Sequence, residues 1–175
     1  MYPVRLGYDE AIKSIEALLA NGHHAEALVT TMFTVEKTFY RVLRQLVISA
    51  GFPPKQADLL LGDQRGFEKV KGLFPCFDPA LQPLSGFLEP RHLAVISETQ
   101  TMRNRLVHGK QVYGPSTCKA KAEELLGVLG EVRRVLLDRY DFDGWSKYRW
   151  RRTSTLHSDP KVKIPAAPAP KKVKK

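Results

Sequence analysis

The stretch 23–49 constrains this chain more than any other. Ala27, Leu28, Thr31, Val35, Phe39, Val42, Leu43, Leu46 and Val47 recur at three- and four-residue spacing. On an α-helix that spacing gathers them on one side and leaves Glu26, Glu36, Lys37, Arg41 and Arg44 for polar positions. At 1.5 Å rise per residue the helix would be about 40 Å long. A rod of that length with one apolar stripe needs other helices laid along it, so the pattern predicts the spine of a bundle.

The rest of the chain supplies candidates for those neighbours. Ala11, Ile12, Ile15, Leu18 and Leu19 make 9–20 a short amphipathic helix that Asn21-Gly22 ends. Gly51-Phe52-Pro53-Pro54 stops the long helix, because two consecutive residues there lack an amide donor. Short helices are expected at 55–61 and 66–73. The segment 74–90 carries Pro75, Pro79, Pro83, Gly86 and Pro90 yet is rich in Phe and Leu, so it is expected to be an irregular loop capping the bundle or forming a partner surface. Helical periodicity returns at 91–107 and mixes faces near its end, where Gly109 stops it. Ser116 is the expected cap of a last long helix over 120–139, with Lys119 and Glu123 paired one turn apart. Neither a strand series nor an internal repeat stands out. The fold class is therefore all-α: a four-helix bundle with additional short helices and a proline-rich insertion.

Charge divides the chain sharply. The formal net charge is +10, but 1–146 holds 18 Lys or Arg against 17 Asp or Glu, while 147–175 holds ten against Asp159 alone. The division is one helical domain over 1–146 and a basic, flexible tail over 147–175. The tail is rich in Pro, Ala and Lys and has too little apolar surface to build a core. It suits RNA phosphates, an anionic membrane surface or an acidic protein alike, and it also favours solubility. Cys76 and Cys118 are far apart and match no zinc-ligand spacing, so neither a disulfide framework nor a metal site is expected. No apolar run reaches the roughly 20 residues that span a bilayer. The expectation is a cytoplasmic protein without integral membrane association.

One local segment carries chemistry: Arg103-Asn104-Arg105-Leu106-Val107-His108-Gly109, where the penultimate long helix ends. It resembles the signature of the HEPN superfamily, and in particular its ribonuclease members. Their pattern is an Arg followed by a polar residue, with a His several residues later near the end of the penultimate core helix. Arg103, Asn104 and His108 match it. The six-residue match is extended by its setting, a long helix before it and another after. The insertion 74–90 has no counterpart in the pattern. The resemblance implies a dimeric, metal-independent endoribonuclease without a cofactor, in a toxin, antiphage or RNA-processing setting. A toxin would need an antitoxin or another regulatory partner. A noncatalytic HEPN-like dimer that binds nucleic acid or scaffolds a protein complex is the alternative.

The chemistry gives the match physical content. When a ribose 2'-hydroxyl attacks its neighbouring phosphate, a proton must move and negative charge concentrates on the phosphate oxygens. His108 is the acid–base candidate and Arg103 the phosphate clamp. Asn104 lies one turn before His108 and is placed to orient the imidazole or touch the ribose-phosphate. Arg103 and His108 are five residues apart, about 140° around an ideal helix, so one rigid helix does not bring them together. Either the helix end brings His108 around, or two copies of the motif line one cleft in a homodimer.

Further RNA contacts are expected from Arg105 and Lys110 beside the motif, and from Lys147, Arg149, Arg151 and Arg152. These last alternate with Trp145, Tyr148 and Trp150, the ingredients for stacking on unpaired bases, although the same aromatics suit docking onto the bundle. Glu36, on the long helix, is expected to be an ordinary surface acid and is left out of the catalytic set, although the resemblance implies that an acid there can position a basic group. His23-His24 reads as a helix start rather than a metal site, because adjacent side chains diverge on a helix.

Overall fold

The computed structural model describes residues 7–62 and 66–146. These form six α-helices with no strand among them: α1 (Tyr8–Ala20), α2 (His24–Ser49), α3 (Pro54–Leu61), α4 (Phe67–Phe77), α5 (Pro90–Val107) and α6 (Pro115–Tyr140), plus a 3-10 turn at Leu84–Gly86. The all-α expectation holds. Lys147, Arg149, Arg151 and Arg152 lie outside the described residues, as does the remainder of the tail.

α2 is the spine. It packs against α1, α3, α4, α5 and α6, and it buries Leu28, Val35, Phe39, Val42, Leu43, Leu46 and Val47. A large core gathers around Phe39, whose ring meets Phe67 at 5.1 Å and Phe74 at 6.0 Å. A second, smaller apolar cluster sits at the other end of the spine. There Ala27 and Leu28 of α2 meet Met102 of α5 and Cys118 and Ala122 of α6, with Leu106 and Tyr113 at its margin. The motif-bearing end of α5 rests on this smaller cluster.

Two helix boundaries depart from expectation. α4 continues through Pro75 to Phe77 rather than ending near Leu73. Pro75 lacks the N–H of one helical bond, but the continued turn buries Phe74 in the core and brings Phe77 to 6.3 Å from Phe52. α6 begins at Pro115 behind Gly114 rather than at a Ser116 cap. A proline in the first turn forfeits no intrahelical bond and already has the helical φ.

The expected loop is a tied-down cap. The Asp78 side chain is fully buried and accepts hydrogen bonds from the amides of Ala80 (2.9 Å) and Gln82 (3.0 Å) and from the Tyr140 hydroxyl (2.6 Å). The Arg139 guanidinium bonds both its oxygens at 2.9 Å. Leu84 and Leu88 are driven into the core, while Leu81 remains exposed. His92 in the first turn of α5 is buried, and its Nε2 is 2.5 Å from Glu131 of α6.

After α6, residues 141–146 turn back onto α2. Gly144 has φ +85°, and a Cβ there would stand 2.9 Å from the Thr38 carbonyl, so both backbone conformation and space require glycine. The Asp143 carboxylate accepts from the amides of Trp145 (2.9 Å) and Ser146 (2.8 Å) and pairs with Arg133. Trp145 docks on the bundle, its Nε1 donating to Thr38 Oγ1 at 2.7 Å.

A candidate active site at the end of helix α5

α5 ends in a Schellman motif. The Lys110 amide donates to the Arg105 carbonyl at 2.8 Å and the Gly109 amide to the Leu106 carbonyl at 3.1 Å, with Gly109 at φ +63°. His108 is the capping residue, and its backbone has left helical geometry (φ −91°, ψ 9°). Its side chain is exposed. Gly109 thus acts as the expected stop, and the turn presents His108 outside the last helical turn.

Arg103 lies one and a half turns earlier and is half-buried against α2. Its Nη2 donates to Glu36 Oε1, and its guanidinium carbon sits 4.9 Å from the centre of the Phe33 ring. Both side chains of the pair are 14% exposed. Glu36 is therefore the tether of Arg103 rather than a solvated surface acid. Periodicity places Glu36 on α2 but carries no sign of which helix lies opposite.

The pairing is incomplete. Arg103 Nε is buried and has no hydrogen-bond partner among the described residues. Burial pushes the Glu36 carboxyl above its ordinary value, and this outweighs the lowering by the Arg103 charge, by the Phe67 amide and by the Arg103 hydrogen bond. The unpartnered Nε is shut away from solvent, and the guanidinium shares its charge with Glu36.

Asn104 is half-buried, and its carbonyl accepts from the His108 amide at 3.1 Å. Among the described residues its side chain has no bond to the imidazole, so the expected orienting role has only backbone proximity behind it. Arg105 is exposed and donates to Gln111 Oε1 at 3.0 Å, which also accepts from the Tyr113 hydroxyl at 3.0 Å. Lys110 is exposed beside His108. Arg105 and Lys110 therefore flank the helix end as solvent-facing cations.

Arg103 and His108 are separated by about 7.5 Å of helix axis. One copy presents a tethered guanidinium facing α2 and an imidazole at the helix end. Among the described residues, no group of three or more His, Cys, Asp or Glu gathers as metal ligands, and no helix is long and apolar enough to cross a membrane. His23 caps α2 and His24 begins it.

The described residues define an all-helical protein with an Arg–Glu pair and an exposed His near the end of one core helix. Comparison with family models, curated proteins and solved structures gives no match.

Proposed function

We propose that this chain is a HEPN-like, metal-independent endoribonuclease acting on single-stranded or loop-exposed RNA. The observation that supports it most is the helix-end arrangement: His108 exposed on a turn that Gly109 makes, with Arg103 of the same helix held by Glu36 of α2. In the proposed reaction the 2'-oxygen attacks phosphorus, the O2'–P bond forms and the P–O5' bond breaks. A 2',3'-cyclic phosphate and a free 5'-hydroxyl remain. His108 takes the proton of the 2'-hydroxyl or gives one to O5', and Arg103 meets the charge growing on the non-bridging oxygens. A homodimer with two such helix ends facing one strand divides the acid and base roles between two copies of His108. Arg105 and Lys110 hold neighbouring phosphates. A toxin or antiphage role, with an antitoxin or other regulatory protein as restraint, and a cytoplasmic location belong to the same proposal.

One observation favours a second reading. Arg103 already has Glu36 and Phe33 as partners, which is what a purely structural strut between α2 and α5 requires. On that reading the chain is a noncatalytic nucleic-acid-binding or scaffolding dimer.

Because Arg103 supports the fold, the clean variant is at exposed His108. Wild type, His108→Ala and Arg103→Lys are compared on mixed structured and unstructured RNAs in EDTA, with product ends identified. Wild type is expected to cleave, and His108→Ala to lose at least about tenfold, equivalent to about 1.4 kcal/mol of transition-state stabilisation. Cleavage by His108→Ala at the wild-type rate, or folded wild type that leaves every RNA intact, rejects the nuclease reading and favours the second.

A further inference from the structure

A small cavity opens between α1, α2 and the Trp145 corner. It has a volume of about 140 Å³ and is lined by Ala11 and Ser14 of α1, Thr30, Phe33, Thr34 and Lys37 of α2, and Trp145. Drug-sized ligand pockets begin near about 300 Å³. This one has space for a single flat ring system. Its walls include two aromatic side chains, and its only charged lining residue is the cation Lys37.

Two cations of α2 stand beside it. Lys37 and Arg41 are one turn apart on α2, and both lie over the Trp145 ring, at 5.3 Å and 4.3 Å from its centre. Like charges at that spacing repel. Arg41 donates to the Gly144 carbonyl at 3.3 Å, yet among the described residues no carboxylate forms an ion pair with either cation. Elsewhere in the bundle, Arg44, Arg103, Lys121, Arg133 and Arg139 each have one. Burial holds both Lys37 and Arg41 below their ordinary pKa values, with Arg41 adding to the effect on Lys37. An anion delivered at this corner would relieve the repulsion.

Phe33 joins the cavity to the proposed active site. It lines the cavity and also carries the Arg103 guanidinium over its ring. It is 50% exposed and so open to solvent on one side.

We propose that this cavity is a base-binding subsite: one unpaired RNA base enters beside Phe33 and Trp145, and the phosphate attached to it meets Lys37. The choice of RNA rests on the ribonuclease reading above. The aromatic walls, the cavity volume and the unpaired cation pair do not. Lys37 and Arg41 already lie over the Trp145 ring and Arg103 over the Phe33 ring, so a base contacts the ring surface these cations leave open, with little regard to sequence, while a lysine near the phosphate adds charge without base discrimination. The subsite would select single-stranded RNA, since a paired base cannot leave its stack without unpairing.

The test uses the full chain with Trp150→Phe, which leaves Trp145 as the single tryptophan. The probe is a short 2'-O-methyl oligonucleotide, which has no free 2'-hydroxyl and reports binding with no cleavage. Trp145 emission is expected to be quenched on titration. An abasic strand of equal length is expected to bind without quenching. Ser14→Phe, placed at an exposed α1 position to fill the cavity, is expected to weaken binding by about tenfold, the scale of one lost stacked base. Lys37→Gln is expected to lower the slope of log affinity against log salt by about 0.7, one phosphate contact on a single strand. A structural role for Lys37 would not move that slope. Circular dichroism and thermal melting check that both variants fold.

Binding seen by fluorescence anisotropy with unchanged Trp145 emission, and equal affinity in folded Ser14→Phe, overturns the subsite and assigns binding to other cations. A mononucleotide that quenches as strongly as the strand at equal concentration overturns the RNA assignment. The two proposals separate: loss of cleavage in no variant with retained quenching removes the nuclease and keeps the subsite, whereas cleavage lost in His108→Ala with no quenching does the reverse.

Discussion

Two of the three buried carboxylate–arginine pairs among the described residues, Asp78–Arg139 and Glu36–Arg103, have opposite characters; the third is Asp143–Arg133. Asp78 and Arg139 lock the 78–89 loop to the end of α6, and the carboxylate receives two amides, a tyrosine hydroxyl and a two-pronged guanidinium. Glu36 and Arg103 join α2 to α5, and the carboxylate receives the guanidinium and the Phe67 amide while Arg103 Nε has no partner among the described residues. Burial opposes ionisation of both carboxylates as the largest single effect. At Asp78 the donors together overcome it and the carboxyl sits below its ordinary value; at Glu36 they do not, and it sits above. A saturated network is a fastening. The Glu36 carboxylate is less fully compensated, and its arginine lies on the helix that ends in an exposed histidine.

The largest expected difference between the two pairs is in stability. Asp78→Ala leaves Arg139 and the loop amides without their acceptor and is expected to destabilise the fold by about 3–5 kcal/mol. The like-for-like change, Glu36→Ala, removes a carboxylate that burial already penalises and is expected to cost less than Asp78→Ala. Urea unfolding of both variants decides this. Equal losses would end the distinction between fastening and site.

The pH dependence sharpens the same contrast. For Asp78, with its folded pKa lowered, the stabilisation is present above the ordinary value of 3.8 and is lost as pH falls through the folded value. For Glu36, with its folded pKa raised, ionisation becomes a penalty as pH rises from the ordinary value of 4.5 through the folded value. Asp78→Asn is therefore expected to show less acid-induced loss than wild type below the ordinary value of 3.8, and Glu36→Gln less loss as pH is raised above the ordinary value of 4.5. Urea midpoints across that range measure both. An unchanged slope in Glu36→Gln removes the claim that its burial is uncompensated.

The smallest effect is expected at an exposed pair that belongs to neither class. Lys119 and Glu123 stand 3.9 Å apart, each about half-exposed. Lys119→Ala is expected to change stability by no more than about 0.5 kcal/mol, because solvent screens such pairs. A loss comparable to that of Asp78→Ala would mean that exposure is a poor guide to the worth of ion pairs here.

Much of this arrangement is legible from local pattern. The 23–49 stripe identified the spine, Gly109 the end of α5, and Lys119 and Glu123 their surface pair, because helical spacing and left-handed glycine turns are properties of a few adjacent residues. Where local rules alone were used, they erred at Pro75 and Ser116. Burial of Phe74 and Phe77 outweighs a missing amide, and Pro115 behind Gly114 starts a helix as well as a serine cap does. The Trp145 corner was open between stacking and docking; its bond to Thr38 shows docking, and the cavity beside it leaves one wall to a ligand.

By itself, the sequence determined the helical class, the spine, the separation of charge between 1–146 and 147–175, and the residues Arg103, Asn104 and His108 as those to examine. The first three are matters of periodicity and composition, the last of resemblance to a short motif, and all survive any arrangement of the helices. Only the tertiary structure decided that Glu36 meets Arg103 across 67 positions of sequence, that Asp78 meets Arg139 across 61, and that Phe33 stands between Arg103 and an open cavity. Such pairings depend on which faces of which helices are pressed together, and burial then sets how fully each charge is compensated.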